Sequence, residues 1–81
     1  MAKLPQGSGR ELVTLLKALG YIVVRQKGSH IRLRKGTASG EHNLTVPDHR
    51  TLAKGTLHDI LSAVSVRNGI PKDELLTRLK G

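Results

Sequence analysis

The fold is decided by the stretch YIVVRQKGSHIRLRK, residues 21–35. On both sides of Gly28-Ser29, apolar and polar residues alternate, which is the pattern of a half-buried β-strand. Glycine at the first central position suits a two-residue type II′ turn. We therefore predict one β-hairpin, with strands at residues 21–27 and 30–35.

The turn also fixes which residues face each other across the hairpin. The expected pairs are Lys27 with His30, Gln26 with Ile31, Arg25 with Arg32, and Val24 with Leu33. One face is then predicted to point to the core, through Ile22, Val24, Ile31 and Leu33. The opposite face is predicted to be exposed and basic, through Arg25, Lys27, His30, Arg32 and Arg34.

A helix is predicted before the hairpin. Ser8 and Glu11 match a capping box, in which each side chain bonds a free backbone N–H at the helix start. Gly20 is placed to end the helix with a positive φ. Between these limits, leucines recur at helical spacing, at Leu12, Leu15, Leu16 and Leu19.

After the hairpin, residues 36–41 are small and polar and are expected to form a loop. Residues 42–46 are predicted to form a third strand, with Leu44 and Val46 inward, and Pro47 ends it. Thr56 and Asp59 resemble the start of a second helix, and Asn68-Gly69 is predicted to end this helix. A short last helix follows, opened by Pro71, Asp73 and Glu74 and bearing Leu75, Leu76 and Leu79. The order α-β-β-β-α-α predicts an α+β fold, a three-stranded antiparallel sheet with helices packed on one face.

Length and composition limit the classes of function. The 81 residues fit a single domain over 1–81. Fourteen Lys and Arg against six Asp and Glu give a formal charge of +8, with no acidic residue between Glu11 and Glu41. This clustering favours a polyanion as partner, although a basic surface that keeps a small protein soluble is the alternative. No apolar run is long enough to cross a bilayer, and no secretory signal is recognised at the N-terminus, so a soluble cytoplasmic protein without membrane contact is expected.

Several chemistries do not fit the residues. No segment matches a dinucleotide-binding or Walker pattern, and the six carboxylates are scattered rather than convergent. The four histidines lack zinc-motif spacing, so neither a metal site nor a cofactor is expected. Because Tyr21 is the single aromatic residue, recognition of bases by ring stacking is disfavoured. A basic surface that recognises a sugar-phosphate backbone remains.

His30 is the first candidate for catalysis, although a merely polar residue on an exposed strand face is the simpler interpretation of its position. Arg25, Lys27 and Arg32 share that face and disfavour a further positive charge, so the imidazole is expected to be neutral and proton-accepting near pH 7. Such a ring suits removal of a proton from a ribose 2′-hydroxyl. The cations would stabilise charge on the phosphate oxygens.

The other histidines are weaker candidates. His42 has the inward parity of Leu44 and Val46, which predicts a partly buried strand residue. His49 follows Pro47 and is expected either to contact a phosphate or to cap the second helix. His58 is expected on the surface of that helix. Thr56 is interpreted as an N-cap, with a phosphate-binding helix start as the alternative.

The motif Lys27-Gly28-Ser29-His30 resembles the HicA family of toxin–antitoxin ribonucleases, and the likeness extends over nearly the whole chain. Further matching segments are Leu19-Gly20-Tyr21, Pro47-Asp48-His49, and Gly55-Thr56-Leu57 leading into Ile60-Leu61. The resemblance implies a fold like the double-stranded-RNA-binding domain, ribosome-independent cleavage of mRNA, and neutralisation by a HicB-type antitoxin that covers the active face. It also implies that His30 is catalytic and that Gly28 and Ser29 shape its turn. Tyr21, Ile70-Pro71 and Leu75 depart from the family pattern, and these departures bear on an antitoxin contact at the C-terminal end more than on the chemistry.

The leading hypothesis is therefore a metal-independent endoribonuclease toxin, with His30 as general base and acid. Its predicted RNA-binding residues are Arg25, Lys27, Arg32, Arg34, Lys35 and His49. Two alternatives stay open: a non-catalytic RNA-binding module that uses the same basic sheet, and a module that binds an acidic protein.

Overall fold

A computed structural model describes residues 7–80 of the chain, and the side chains of residues 7–79. The element order is α1 (Gly9–Ala18), β1 (Ile22–Lys27), β2 (His30–Thr37), β3 (Gly40–Pro47), α2 (Lys54–Asn68) and α3 (Lys72–Lys80). The three strands form one antiparallel sheet in the order β1-β2-β3. The predicted α+β order is confirmed. The prediction that no secretory signal precedes the domain concerns residues 1–6, which lie outside the described residues.

The ends of α1 are those that its sequence predicts. Ser8 Oγ accepts from the Glu11 backbone N–H at 3.0 Å, and Glu11 Oε1 accepts from the Ser8 N–H at 2.8 Å. Gly20 follows the helix with a φ of +105°. The two hydrogen bonds satisfy free backbone donors at the first turn of α1. The positive φ of Gly20 lets the chain change direction into β1.

One hydrophobic core lies between the sheet and the helices. Ile31, Leu33, Leu44 and Val46 form the inner face of β2 and β3, and all four are buried. They pack with side chains from every helix, among them Leu12, Leu16, Leu61 and Leu75. The opposite face of the sheet is open to solvent, and this open face holds the candidate site.

The predicted register of the first hairpin is correct near the turn and wrong further away. Lys27 pairs with His30, Gln26 with Ile31 and Arg25 with Arg32, but Val23 rather than Val24 pairs with Leu33. A β-bulge lies between Val23 and Arg25, so one extra residue of β1 opposes β2.

The bulge has a second consequence for β1. Ile22 moves opposite Arg34, on the open face, so Ile22 and Val24 are not the core residues that strict alternation predicts. Ile22 is 56% exposed and Val24 is 41% exposed. The inward positions of Ile31 and Leu33 are confirmed.

Two predicted boundaries are also wrong. Residues 36–41 are not a loop, because β2 continues to Thr37 and β3 begins at Gly40, which leaves only Ala38-Ser39 as the turn. The start of α2 is at Lys54, with Ala53 as N-cap and no side-chain cap bond. Thr56 therefore lies inside the helix. The first helical bond runs from the Leu57 N–H to the Ala53 carbonyl, and Leu52 and Leu57 are both buried, so packing sets this helix start.

Candidate nucleic-acid interface

His30 is the first residue of β2 and lies on the open face, where it is exposed. The turn before it is tight because Gly28 adopts a φ of +59°, a conformation that costs a side-chain-bearing residue free energy. Among the described residues only glycines have positive φ, so Ser29 does not. A positive φ at the first central position alone is the pattern of a type II′ turn, which confirms the predicted turn type.

The turn is anchored to the segment that follows β3. The Asp48 N–H donates to the Ser29 carbonyl oxygen at 2.6 Å, and His30 pairs with Pro47. Asp48 in turn accepts from the Arg10 guanidinium, with Nε to Oδ1 at 3.2 Å and Nη2 to Oδ2 at 3.4 Å. The position of His30 therefore depends on contacts between the hairpin turn, the end of β3 and the start of α1.

A concavity of about 640 Å³ opens beside this turn, and we call it the His30 concavity. It is lined by Arg25, Lys27, Gly28, Ser29, His30, Arg32 and Thr45. None of its three cations takes part in an ion pair within residues 7–79. The concavity therefore combines an accessible imidazole with positive charge that no carboxylate of the described chain neutralises.

Arg34 and Lys35 lie outside this concavity. Arg34 is on the open face but forms an ion pair with Glu41, with Nε to Oε2 at 3.4 Å. Lys35 is on the inner face, opposite His42, and its Nζ donates to Asn68 Oδ1 at 2.5 Å. The structure thus brings together three of the five strand cations predicted to bind RNA.

His49 also lies apart from the His30 concavity. It is exposed and lines a smaller depression with Ser8, Arg10, Asp48 and Arg50. Its backbone carbonyl accepts from the Gly9 N–H at 2.9 Å. Of its two predicted roles, the second-helix cap has no support, since α2 has no side-chain cap bond.

His42 is an inward strand residue, as predicted, but it is buried rather than partly buried, since it is 7% exposed. The Tyr21 hydroxyl accepts from Asn68 Nδ2 at 3.0 Å and forms a hydrogen bond with His42 Nδ1 at 2.6 Å. Burial lowers the pKa of His42, and the Arg67 guanidinium lowers it further. Burial raises the pKa of Tyr21, and the bond from Asn68 partly offsets this effect. Both groups are therefore held neutral. They form hydrogen bonds inside the protein and do not contribute to the open face.

Thr45 is a site residue that the sequence analysis did not name. It pairs with Arg32 and lines the His30 concavity. Strand alternation carries the signal: since Leu44 and Val46 are inward, Thr45 must be outward. His58, predicted on the surface of α2, is half-buried there. Within residues 7–79, no three histidine or acidic side chains cluster as metal ligands would.

The sequence of residues 9–66 matches the profile of a protein family described as HicA toxin of bacterial toxin–antitoxin systems. The chain belongs to the HicA toxin family. No curated protein and no solved structure matches the chain. The matched part of this HicA toxin extends from the first residue of α1 into the last turn of α2 and contains all of the His30 concavity.

No described helix of this HicA toxin is both long enough and apolar enough to cross a membrane.

Proposed function

We propose that this HicA toxin is a metal-independent endoribonuclease that cleaves mRNA in the cytoplasm, with His30 as the general acid and base. The observation that carries the proposal is the exposed imidazole of His30 in a concavity with Arg25, Lys27 and Arg32. Histidine accepts and releases protons near neutral pH and is the commonest side chain in general acid–base catalysis.

The proposed reaction begins with a ribose 2′-hydroxyl beside His30. The imidazole takes the hydroxyl proton as the oxygen attacks the adjacent phosphorus, the bond to the 5′-oxygen breaks, and the protonated imidazole gives that proton to the 5′-oxygen as it leaves. The products are a 2′,3′-cyclic phosphate and a 5′-hydroxyl. Arg25, Lys27 and Arg32 would hold the phosphate and stabilise the charge that develops on its oxygens.

The remaining predicted residues have different proposed roles. Gly28 and Ser29 shape the turn that presents His30. Arg34 and His49 would contact RNA that extends past the concavity, because both are exposed but lie outside it. For Lys35, the bond to Asn68 favours a structural role. We also propose that the antitoxin partner of this toxin is of the HicB type.

The test is RNA degradation in EDTA by the wild type, by His30→Ala and by the control His58→Ala. We expect His30→Ala to lower the cleavage rate about 10²- to 10⁴-fold, the usual contribution of a general acid or base. His58→Ala should cleave like the wild type, and the product should end in a 2′,3′-cyclic phosphate. Equal cleavage by all three proteins would rule out the assignment of His30.

The second candidate function, RNA binding without cleavage, uses the same cations. It predicts salt-dependent RNA binding that His30→Ala leaves nearly unchanged, with no product from the wild type at any enzyme concentration.

A further inference from the structure

Strand β1 is an open edge of the sheet with an apolar surface. Among residues 7–80 it pairs only with β2. Ile22, Val23 and Val24 are 56%, 42% and 41% exposed, and they are three of the four large hydrophobic side chains exposed in the described part of the chain. A single exposed valine is ordinary, but a run of three on an unpaired edge is a template for another strand.

The same strand carries features that discourage pairing with a second copy of itself. Arg25 and Lys27 follow its apolar residues. Cations on an edge oppose pairing between like edges, and each further copy would bring a formal charge of +8. A strand with carboxylates beside Arg25 and Lys27 and apolar residues beside Ile22–Val24 would instead match this edge in charge and hydrophobicity.

We propose that the free edge of β1 is the docking site for an acidic strand of the antitoxin that pairs with this HicA toxin. The backbone of that strand would add a fourth strand to the sheet, and its alternate side chains would meet Ile22, Arg25 and Lys27 on the open face. Arg25 and Lys27 also line the His30 concavity. A strand on this edge therefore pairs the charges that RNA would need. This blocking effect rests on the proposed function, whereas the docking does not.

The experiment uses a short capped peptide as probe. Its first half alternates Glu with Thr and its second half alternates Val with Thr, so that antiparallel pairing places Glu beside Arg25 and Lys27 and Val beside Ile22. A control peptide of equal charge has proline at its central valine and cannot form a strand. Both are titrated into the isotopically labelled full chain, and backbone amide shifts and hydrogen exchange are recorded.

We expect saturable shifts at residues 22–27 and slower exchange of amides there with the first peptide, and neither with the proline peptide. Ile22→Thr should weaken binding about three- to tenfold, because roughly one kcal/mol of apolar contact is lost. Val66→Thr is the matched control, since Val66 is the fourth exposed hydrophobic residue, 82% exposed on α2, and it should bind like the wild type.

Three results would overturn the proposal. The first is an absence of backbone amide shifts at residues 22–27. The second is equal amide shifts with the two peptides, spread over all exposed cations, because charge attraction alone would then explain the binding. The third is sedimentation of the free chain as a dimer that Ile22→Thr dissociates, which would make a second copy the occupant. His30→Ala should bind the first peptide like the wild type, so a failure of the docking proposal is separable from a failure of the cleavage proposal.

Discussion

The two ends of the sheet each hold a histidine, yet their surroundings are opposite. At the turn between β1 and β2, His30 is exposed beside three cations without ion pairs in the described chain. Toward the other end, His42 is buried and bonded to Tyr21. Lys35 there donates to Asn68, and Arg34 pairs with Glu41. Residue type and basic charge therefore do not identify the site by themselves. What distinguishes the His30 end is that its three cations have no ion-pair partner in the described chain.

A second difference is how each turn is held. The Gly28-Ser29 turn forms a hydrogen bond with Asp48, a residue outside the hairpin. The side-chain hydrogen bonds at the Ala38-Ser39 turn join only residues of that hairpin, namely Thr37, Ser39 and Gly40. An anchored turn keeps the side chain that follows it in a defined place. This is what an acid–base group requires, since it must lie within hydrogen-bond reach of the proton it transfers.

The largest effect is expected from breaking that anchor with Gly9→Ala. A Cβ at Gly9 would overlap the Pro47 carbonyl oxygen and lie 3.0 Å from its carbon and 3.1 Å from Asp48 Cα. Because all three are backbone atoms, the segment that holds Ser29 must move. We expect the free energy of unfolding to fall by about 3 kcal/mol, the upper part of the usual cost of overpacking. RNA cleavage should fall as well. Urea unfolding and cleavage assays measure the two effects.

Gly36→Ala is the control for this prediction, because a Cβ at Gly36 meets nothing within 4 Å. It should unfold and cleave like the wild type. Helix propensity alone predicts that alanine in α1 stabilises the protein, so a Gly9→Ala variant as stable as Gly36→Ala would contradict the expected overlap with the Pro47 carbonyl.

Tyr21→Phe perturbs the opposite end. The change removes the hydroxyl that bonds to His42 and accepts from Asn68, leaving the buried His42 ring nitrogen without that partner. We expect a loss of about 1–3 kcal/mol in the free energy of unfolding and an unchanged turnover number for RNA at temperatures where the variant is folded. Ser62→Ala, which removes an exposed hydroxyl from α2, should change neither. A large drop in turnover by Tyr21→Phe would contradict the separation of the two ends.

The pH dependence of stability sharpens the same contrast. Burial, aided by Arg67, lowers the pKa of His42 in the folded protein, so the unfolded chain binds the proton more readily. Stability from this group is fully present above the unfolded pKa, near 6.5, and is lost as the pH falls from there through the folded pKa. Urea unfolding at several pH values should show this loss, and His42→Gln should reduce it. An unchanged pH profile in His42→Gln would assign the loss to other groups.

Local patterns predicted most of the fold, and they failed where packing decides. The Ser8 capping box, the positive φ of Gly20 and the Gly28 turn each depend on a few neighbouring residues, so the sequence contains the information directly. The bulge at Val24 does not follow from alternation, because an extra residue on an edge strand changes every partner beyond it without changing the pattern. The start of α2 was misplaced at Thr56 for a related reason, since burial of Leu52 and Leu57 outweighs the better cap.

In the candidate site, too, local geometry could be predicted from the sequence, whereas contacts between elements could not. The turn geometry that places His30 beside Lys27, Arg25 and Arg32 could be predicted, because a two-residue turn fixes register over its nearest pairs. The partners of Arg34 and Lys35 could not. Their partners Glu41 and Asn68 lie on β3 and α2. The spacing of residues within one strand cannot predict such contacts between elements. The anchoring of Ser29 by Asp48 is likewise a tertiary contact.

The smallest expected effect separates paired from unpaired cations on the open face. In a His30→Ala background, which is expected to slow cleavage, Arg32→Ala should reduce the slope of log affinity for RNA against log salt concentration by about 1, the loss of one phosphate contact. Arg34→Ala should reduce it less, because Glu41 already neutralises that guanidinium. The difference is small, since an exposed ion pair contributes only about 0–1 kcal/mol and RNA competes for the arginine. Equal slopes for the two variants would mean that RNA breaks the Arg34–Glu41 pair. The interface would then extend along the whole open face instead of ending at the His30 concavity.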